Sequence, residues 1–353
     1  MELDIKTLTP LWTGGAEAGK MDRIHETGII GSLRWWFELL VRGVGGVVSD
    51  PTKDERSGFD QERYEKSDEK DERARLRGAG LCDVSQVFGA TGWRRRFSLI
   101  IHDSTSPDTL SPQKIEANRF YTNAKGKTLT PTWWFKDHPR SGILTIRAQS
   151  LAQDFPPESI GGLLQFIADW AAVGAKAQMG FGVIEPVNCR IDTRPLYDWL
   201  TATAGNHPYP RLPSLQNIFL VRIQRQAAND QETFNLKYDL RQLFSGQQNR
   251  GLRHFIMGTV KGERMAAKVK MSRPYGDGLI RVWGWIPEEA DVYENGWSRD
   301  KVLDAIYNHL KTHYTVQVWR EMNSLRDTVS PNNTDAEAFL RSLLALEEED
   351  NAA

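Results

Sequence analysis

Apolar and polar positions along this 353-residue chain fall into two successive copies of one pattern. Residues 3–9 alternate as a strand. Residues 30–44 place Ile30, Leu33, Phe37, Leu40, Val41 and Val44 on one face at the helical period. Ser32 lies near the start of this expected helix, and Gly43, Gly45 and Gly46 close it. Residues 97–102 alternate with Phe97, Leu99 and Ile101 on one side, and 143–149 set Leu144 and Ile146 against Thr145 and Arg147. A second helix at 158–173 turns Ile160, Leu163, Leu164, Ile167, Trp170 and Ala171 inward, and 181–187 reads as a last strand. The order β-α-β-β-α-β is the split-βαβ or ferredoxin-like arrangement.

The order then recurs. A strand at 217–224 precedes a helix at 237–257, interrupted at Gly246 and Gly251. Strands at 264–273 and 279–286 are joined by a turn at 274–278, and a helix at 299–310 leads into a strand at 314–319. The pattern predicts an α+β protein of two tandem ferredoxin-like, RRM-like domains, at 1–201 and 215–353. Such a sheet has one face covered by helices, and on the other face RNA-recognition modules stack bases. Three segments break the pattern. Residues 50–77 are a charged insertion with almost no aliphatic side chains, either a loop or a solvated helix. Residues 202–214 read as a linker. An amphipathic helix at 335–346 precedes an acidic tail at 347–353.

Composition narrows the function. Apolar residues are 40 % and charged residues 26 % of the chain, as in soluble globular proteins. The formal net charge of -1 gives no global basic field, so a nucleic-acid site must arise from local charge separation. No apolar run reaches the ~18–20 residues of a membrane span, and the acidic start is not a signal peptide. The two cysteines, Cys82 and Cys189, suit a reducing cytoplasm and offer neither a zinc site nor a disulfide framework. No cofactor is expected.

The candidate chemistry is that of binding. GGAEAGK at 14–20 begins like a P-loop, but Met21 stands where a hydroxyl must hold Mg²⁺. Its glycines still let backbone N–H groups approach an anion, which makes Thr13, Gly14 and Gly15 candidates. Arg34, with Ser32 beside it, is placed to meet a phosphate near a helix N-terminus. Trp35, on the opposite side with Glu38 and Arg42, either packs on a neighbour or meets RNA. In GWRRRF, Trp93, Arg94 and Arg95 suit bidentate phosphate contact and stacking. GAKAQMGFG offers Lys176, Gln178, Met179, Gly180 and Phe181; its GFGV resembles the centre of an RNP1 motif, with Met179 where that motif has Lys or Arg. Arg264 and Lys268 are read as RNA contacts, whereas Trp283 and Trp285 are expected to bury against the first domain. Arg23 and His25 complete the set. His25 is read as an RNA-contacting or structural histidine, with the role of general base on a ribose hydroxyl as the rival. His309 and His313 share a helix face without the Glu or third ligand of a zinc site.

TPLWTGG at 9–15, the 26–46 block with its SLRWW, VFGATGWRRRF at 87–97, GAKAQMGFGVI at 174–184 and IRVWGWIP at 280–287 together resemble the first RAMP subunits of the type III-B CRISPR effector, the Cmr complex. The resemblance runs from about residue 9 to 319 and leaves out the insertion and the tail. It implies tandem ferredoxin-like RAMP domains and a non-catalytic subunit that caps the backbone filament near the 3′ end of the guide RNA. The implied partners are guide (CRISPR) RNA, single-stranded target RNA and other Cmr RAMP subunits. Family members often carry Arg in the glycine-rich loop, where this chain has Lys176, Gln178 and Met179. Two rivals remain: a RAMP-type endoribonuclease using His25 with Arg23 or Lys20, and a purely structural cap.

Overall fold

A computed structural model describes residues 1–347 other than 18, 51–52, 54–56, 109–113, 124, 135–136, 247–248 and 261. In chain order, β1 (Glu2–Thr7) is followed by α1 (Glu26–Gly43), α2 (Gln61–Glu65), α3 (Glu72–Gly78), α4 (Asp83–Phe88) and β2 (Phe97–Asp103). An arm of nested antiparallel pairs comes next: β3 (Ser106–Pro107) with β8 (Arg140–Ser141), β4 (Lys114–Glu116) with β7 (Thr132–Trp134), and β5 (Tyr121–Thr122) with β6 (Thr128–Leu129). The half closes with β9 (Ile143–Ser150), α5 (Glu158–Trp170) and β10 (Ile184–Pro186). The sheet runs β10-β1-β9-β2, all antiparallel.

After α6 (Arg194–Thr201) the second half repeats the plan with β11 (Ile218–Gln224), α7 (Asp230–Gln242), α8 (Arg250–Met257), β12 (Val269–Met271), β13 (Leu279–Trp285), α9 (Arg299–His313) and β14 (Thr315–Arg320), then α10 (Ala336–Leu343). Its sheet order, β12-β13-β11-β14, is the first sheet's order read from the other edge. Both halves are thus ferredoxin-like, as the periodicity predicts.

Neither sheet offers an open aromatic platform. The outward face of the first sheet exposes Glu2, Lys6, Ile100, His102, Ile143 and Arg147 and carries no Phe, Tyr or Trp. In the second sheet Phe219, Val221 and Ile223 pack on that half's own helices. The opposite face, with Ile218, Leu220 and Trp283, joins the core of the first half. Arg281 there donates to the Ala171 and Ile167 carbonyls at the C-terminus of α5 (2.8 and 3.3 Å), where the helix dipole favours a cation. The expected burial of the tryptophans against the first half holds for Trp283, which is 2 % exposed, while Trp285 is only partly covered.

Other elements shift. The first helix starts at Glu26 with His25 as its N-cap, so Ser32 sits in the second turn rather than near the start. The expected strand at 264–273 shrinks to Val269–Met271, and Arg264 lies on an exposed loop. The helix read at 237–257 is two: α7 starts seven residues earlier, at Asp230 capped by Asn229, the helix breaks around Gly246, and Gly251 lies within α8. The last strand of the first half contracts from 181–187 to Ile184–Pro186. In the insertion, Asp60 and Asp71 cap α2 and α3 by accepting from the Arg63 and Ala74 N–H groups. Leu76 is buried, and the Arg73 guanidinium stacks 4.1 Å from the Trp199 ring. Residues 51–52 and 54–56 of the insertion, and 348–353 of the tail, lie outside the described residues. Among the described residues no helix is long and apolar enough to cross a membrane.

Candidate nucleic-acid interface

The start of α1, the glycine-rich loop after α5 and the second half meet along one seam. The loop before α1 is pinned: Asp137 and Asp103 accept the Met21 and Ile24 N–H groups (both 2.7 Å), and Thr13 Oγ1 accepts the His25 N–H (3.0 Å). The first turn of α1 packs so closely on Thr13 that a Cβ on Gly28 would lie 2.7 Å from Thr13 Cβ. The His25 ring meets Asp22 Oδ1 at 2.7 Å, and this contact holds the Asp22 carboxyl below its ordinary pKa.

The glycine-rich loop is built to touch both halves. Gly174 and Gly182 have φ of +83° and +92°, and a Cβ on Gly182 would stand 2.0 Å from the Val173 carbonyl oxygen. The Gly180 carbonyl accepts the Arg273 N–H (3.0 Å), and the Lys237 ammonium donates to the Gln178 carbonyl (2.8 Å). Lys176 lies over the Trp12 ring, its Nζ 3.1 Å from the centroid. Between this loop and α1 a groove of about 320 Å³ is bordered by Gly31, Ser32, Trp35 and Lys270, whose Nζ is 4.9 Å from the Trp35 ring.

Beyond Lys270 the seam widens. The arm docks on α7 through Trp133 on Phe234 (4.6 Å between centroids) and through Arg119, which forks onto both oxygens of Asp239 (2.7 and 2.6 Å). Between the arm, α7, α8 and β12 lies an open groove of about 1150 Å³. Lys237, Arg241, Arg250, Arg253 and Lys270 line it, with His254, Trp133 and Tyr121, and among the described residues no carboxylate does. Among the described residues none of these five cations has a carboxylate partner. Burial holds Lys237 down to about 8, and it depresses Lys270 and Arg241 as well. His254 is lowered by burial and then by Arg241, Arg253 and Arg250. Cations crowded in partial desolvation without counter-charge are relieved by a bound polyanion. Replacing Arg119 by Met is expected to speed proteolytic nicking within residues 104–142 while the rest of the fold stays protected. Unchanged nicking would mean that the Trp133–Phe234 contact and the hydrogen bonds from the Asn118 N–H to Asn235 and from Gln231 to the Glu116 carbonyl hold the arm without Arg119.

The sequence-expected residues divide. Ser32, Trp35, Gln178 and the loop around Lys176 and Met179 lie at the seam. Arg34 sits in the third turn of α1, where its guanidinium donates to Glu38, to the Gly89 carbonyl and to Ser85 Oγ (3.1, 3.0 and 3.3 Å), tying α1 to α4. Phe181 is fully buried beneath the Arg273 guanidinium, and Gly180 is buried where the loop meets β12, so neither forms a base platform. Lys268 is only 9 % exposed and lines a slot rather than an open sheet face. Trp93 donates to the Gln86 carbonyl and packs at a tilt on Phe59. Arg94 and Arg95 border a hollow with Glu72 and Asp154 that shares no residue with the seam. Arg23 pairs with Glu26 at 3.0 Å. Gly14 and Gly15 remain in the loop before α1.

A family model described as the RAMP superfamily matches residues 4–185, half of the chain. The chain belongs to the RAMP superfamily. A comparison with curated protein sequences finds no match. Among solved structures this RAMP protein is similar to Cmr1 from Pyrococcus furiosus in its apo form, at 14 % identity, 88 % of this chain, 96 % of that chain and a TM-score of 0.47. It is similar to a chain of the type III-B Cmr-beta complex bound to cognate target RNA and AMPPnP, at 10 % identity, 88 % and 99 % coverage and a TM-score of 0.43. A third similarity is to Cmr6 from Pyrococcus furiosus, at 13 % identity, 53 % and 97 % coverage and a TM-score of 0.26.

The cations that dominate the seam of this RAMP protein, on α7 and α8, are absent from the sequence-expected set. The signal was present: Lys237 and Arg241 are spaced i, i+4 and Arg250 and Arg253 i, i+3, each pair on one helix face. A charge pair on one face reads equally well as a solvated surface until the arm is seen to enclose it.

Proposed function

We propose that this RAMP protein is a non-catalytic RNA-binding subunit of a type III-B CRISPR (Cmr) effector, capping its filament near the guide 3′ end. Guide RNA, single-stranded target RNA and neighbouring RAMP subunits are the proposed partners. The observation that carries the binding role is the wide groove of five uncompensated cations beside Trp133 and Tyr121. Family membership and the SLRWW and FGATGWRRRF blocks support the Cmr assignment. The sites proposed for RNA are that groove and the adjoining loop at 174–179. The proposed domain division is the two ferredoxin-like units, 1–201 and 215–353. The test is RNA crosslinking with mass spectrometry on the complex purified from cells: crosslinks should map to α7, α8 and the loop. A complex that assembles without any RNA crosslink to this chain would favour the structural cap. The His25–Asp22 contact gives the endoribonuclease rival its one structural support. His25→Ala should leave RNA cleavage by the assembled complex unchanged; abolished cleavage by intact complex would establish the rival.

The groove also sets a pH dependence. Lys237 titrates at about 8 in the fold against 10.5 ordinarily. Bound phosphate restores its charge, so above about pH 8 binding takes up a proton and affinity should fall as pH rises from 7 to ~9.5. Stability should move oppositely, because between about 8 and 10.5 the unfolded chain holds the proton that the fold has released. Lys237→Met should remove this lysine's share of both trends in a pH series of binding and urea titrations.

A further inference from the structure

At the other end of the seam, Trp35 of α1, Phe255 of α8 and Trp285 at the end of β13 wall a slot of about 420 Å³ that also takes in Lys268. We propose that this slot receives a single unstacked nucleobase, with an acceptor of the base, a ring nitrogen or a carbonyl oxygen, taking a hydrogen bond from Lys268. This rests on the RNA-binding reading and deepens it, since it requires a strand whose bases are free to splay out.

Three observations carry it. The walls are aromatic on three independent elements, and the volume falls within the roughly 300–1,000 Å³ typical of small-molecule pockets. The Lys268 ammonium is 3.5 Å from the Phe255 ring centroid and 5.0 Å from that of Trp285, and it donates to the Phe255 carbonyl at 3.2 Å. An ammonium has three N–H donors, so a base acceptor, ring nitrogen or carbonyl oxygen, completes what the protein leaves unfilled. The three carboxylates at the rim are already held, Glu38 by Arg34 and Arg42, and Glu289 and Asp291 by Arg211, against the cations Arg42, Arg211 and Lys268 of the lining. The slot is therefore nearly charge-balanced, unlike the wide groove, and suits a neutral base better than a phosphate.

Continuity supplies the path. Trp35 borders both the slot and the narrow groove, and Lys270 borders both the narrow and the wide grooves. A backbone held in the wide groove can thus run past Lys270 and deliver a base between Trp35 and Trp285.

A base from a strand and a free nucleotide share this chemistry, and the experiment separates them. The full chain is titrated with short single-stranded RNAs carrying 2-aminopurine at successive positions, and separately with 2-aminopurine riboside monophosphate. The slot predicts one position whose fluorescence is strongly quenched by stacking. Trp285→Leu and Lys268→Met should each abolish that quenching, and Trp285→Leu should weaken RNA binding about tenfold with an unchanged salt slope. Strong RNA binding with no position-specific quenching overturns the slot and leaves the RNA reading intact. No RNA binding, but mononucleotide quenching lost in both variants, supports the slot as a free-nucleotide site and overturns the RNA reading. Neither ligand binding overturns both.

Discussion

Replacing Arg250 and Arg253 together by alanine is expected to lower affinity for single-stranded RNA about 10- to 100-fold near 0.1 M salt, and to flatten the plot of log K against log salt by about 1.4, or ~0.7 for each phosphate that goes unpaired. The two side chains lie one turn apart on α8 and line the wide groove, whereas Leu252, Ile256 and Met257 of the same helix face the core. Truncation therefore removes charge without opening a cavity. Alanine is at least as good a helix former as arginine, so α8 should persist. Stability should hold or rise slightly, because Arg253 crowds Arg241 and both arginines depress His254. That gives an internal check: in the double variant the His254 titration followed by NMR should move up toward its ordinary range. Arg94→Ala with Arg95→Ala is the matched control, since these residues lie outside the seam. If the control flattens the salt slope and the α8 pair does not, the wide groove is not the phosphate track.

Gly180→Ala should be strongly destabilising, at about 2–4 kcal/mol. Gly180 has φ of +84°, a region that costs an L side chain about 1–2 kcal/mol. Its added Cβ would stand 2.6 Å from the Arg273 backbone nitrogen and 2.7 Å from Arg273 Cγ. Arg273 cannot retreat: it is 2 % exposed, follows β12 in the second sheet and covers Phe181. The methyl group therefore opposes the Arg273-to-Gly180 hydrogen bond that joins the two halves, and the seam must part. A lowered urea midpoint together with weakened RNA binding is expected. Gly31→Ala provides the contrast. It lies inside α1, its Cβ would meet nothing within 4 Å, and the change should stabilise by up to about 1 kcal/mol. Equal effects of the two substitutions would show that the close approach at Gly180 is relieved by backbone movement.

Most of the fold was legible because strand and helix leave local periods in the sequence. Phe97, Leu99 and Ile101 alternate inward in β2 as read, and Leu33, Phe37, Leu40 and Val41 share the buried face of α1. The errors fall where tertiary contacts override local pattern. The alternation through Arg264 and Lys268 reads as a strand, yet strand pairing begins only at Val269, where β13 supplies a partner. Arg34 reads as a phosphate ligand, yet Gly89 and Ser85, more than fifty residues away in sequence, take its donors.

By itself the sequence determined the repeated β-α-β-β-α-β order, the RAMP resemblance and the glycine-rich loop. These follow from which residue types stand a few positions apart, and that spacing is written in the chain. Only the tertiary structure decided which cations are spent and which are spare. Arg34 and Arg281 are consumed by neighbours brought in from other elements, while the arm and α8 enclose Lys237, Arg241, Arg250 and Arg253 with no carboxylate between them among the described residues. The charge of a site is set by distances of a few ångströms across long-range contacts, and no local period in the sequence records those distances.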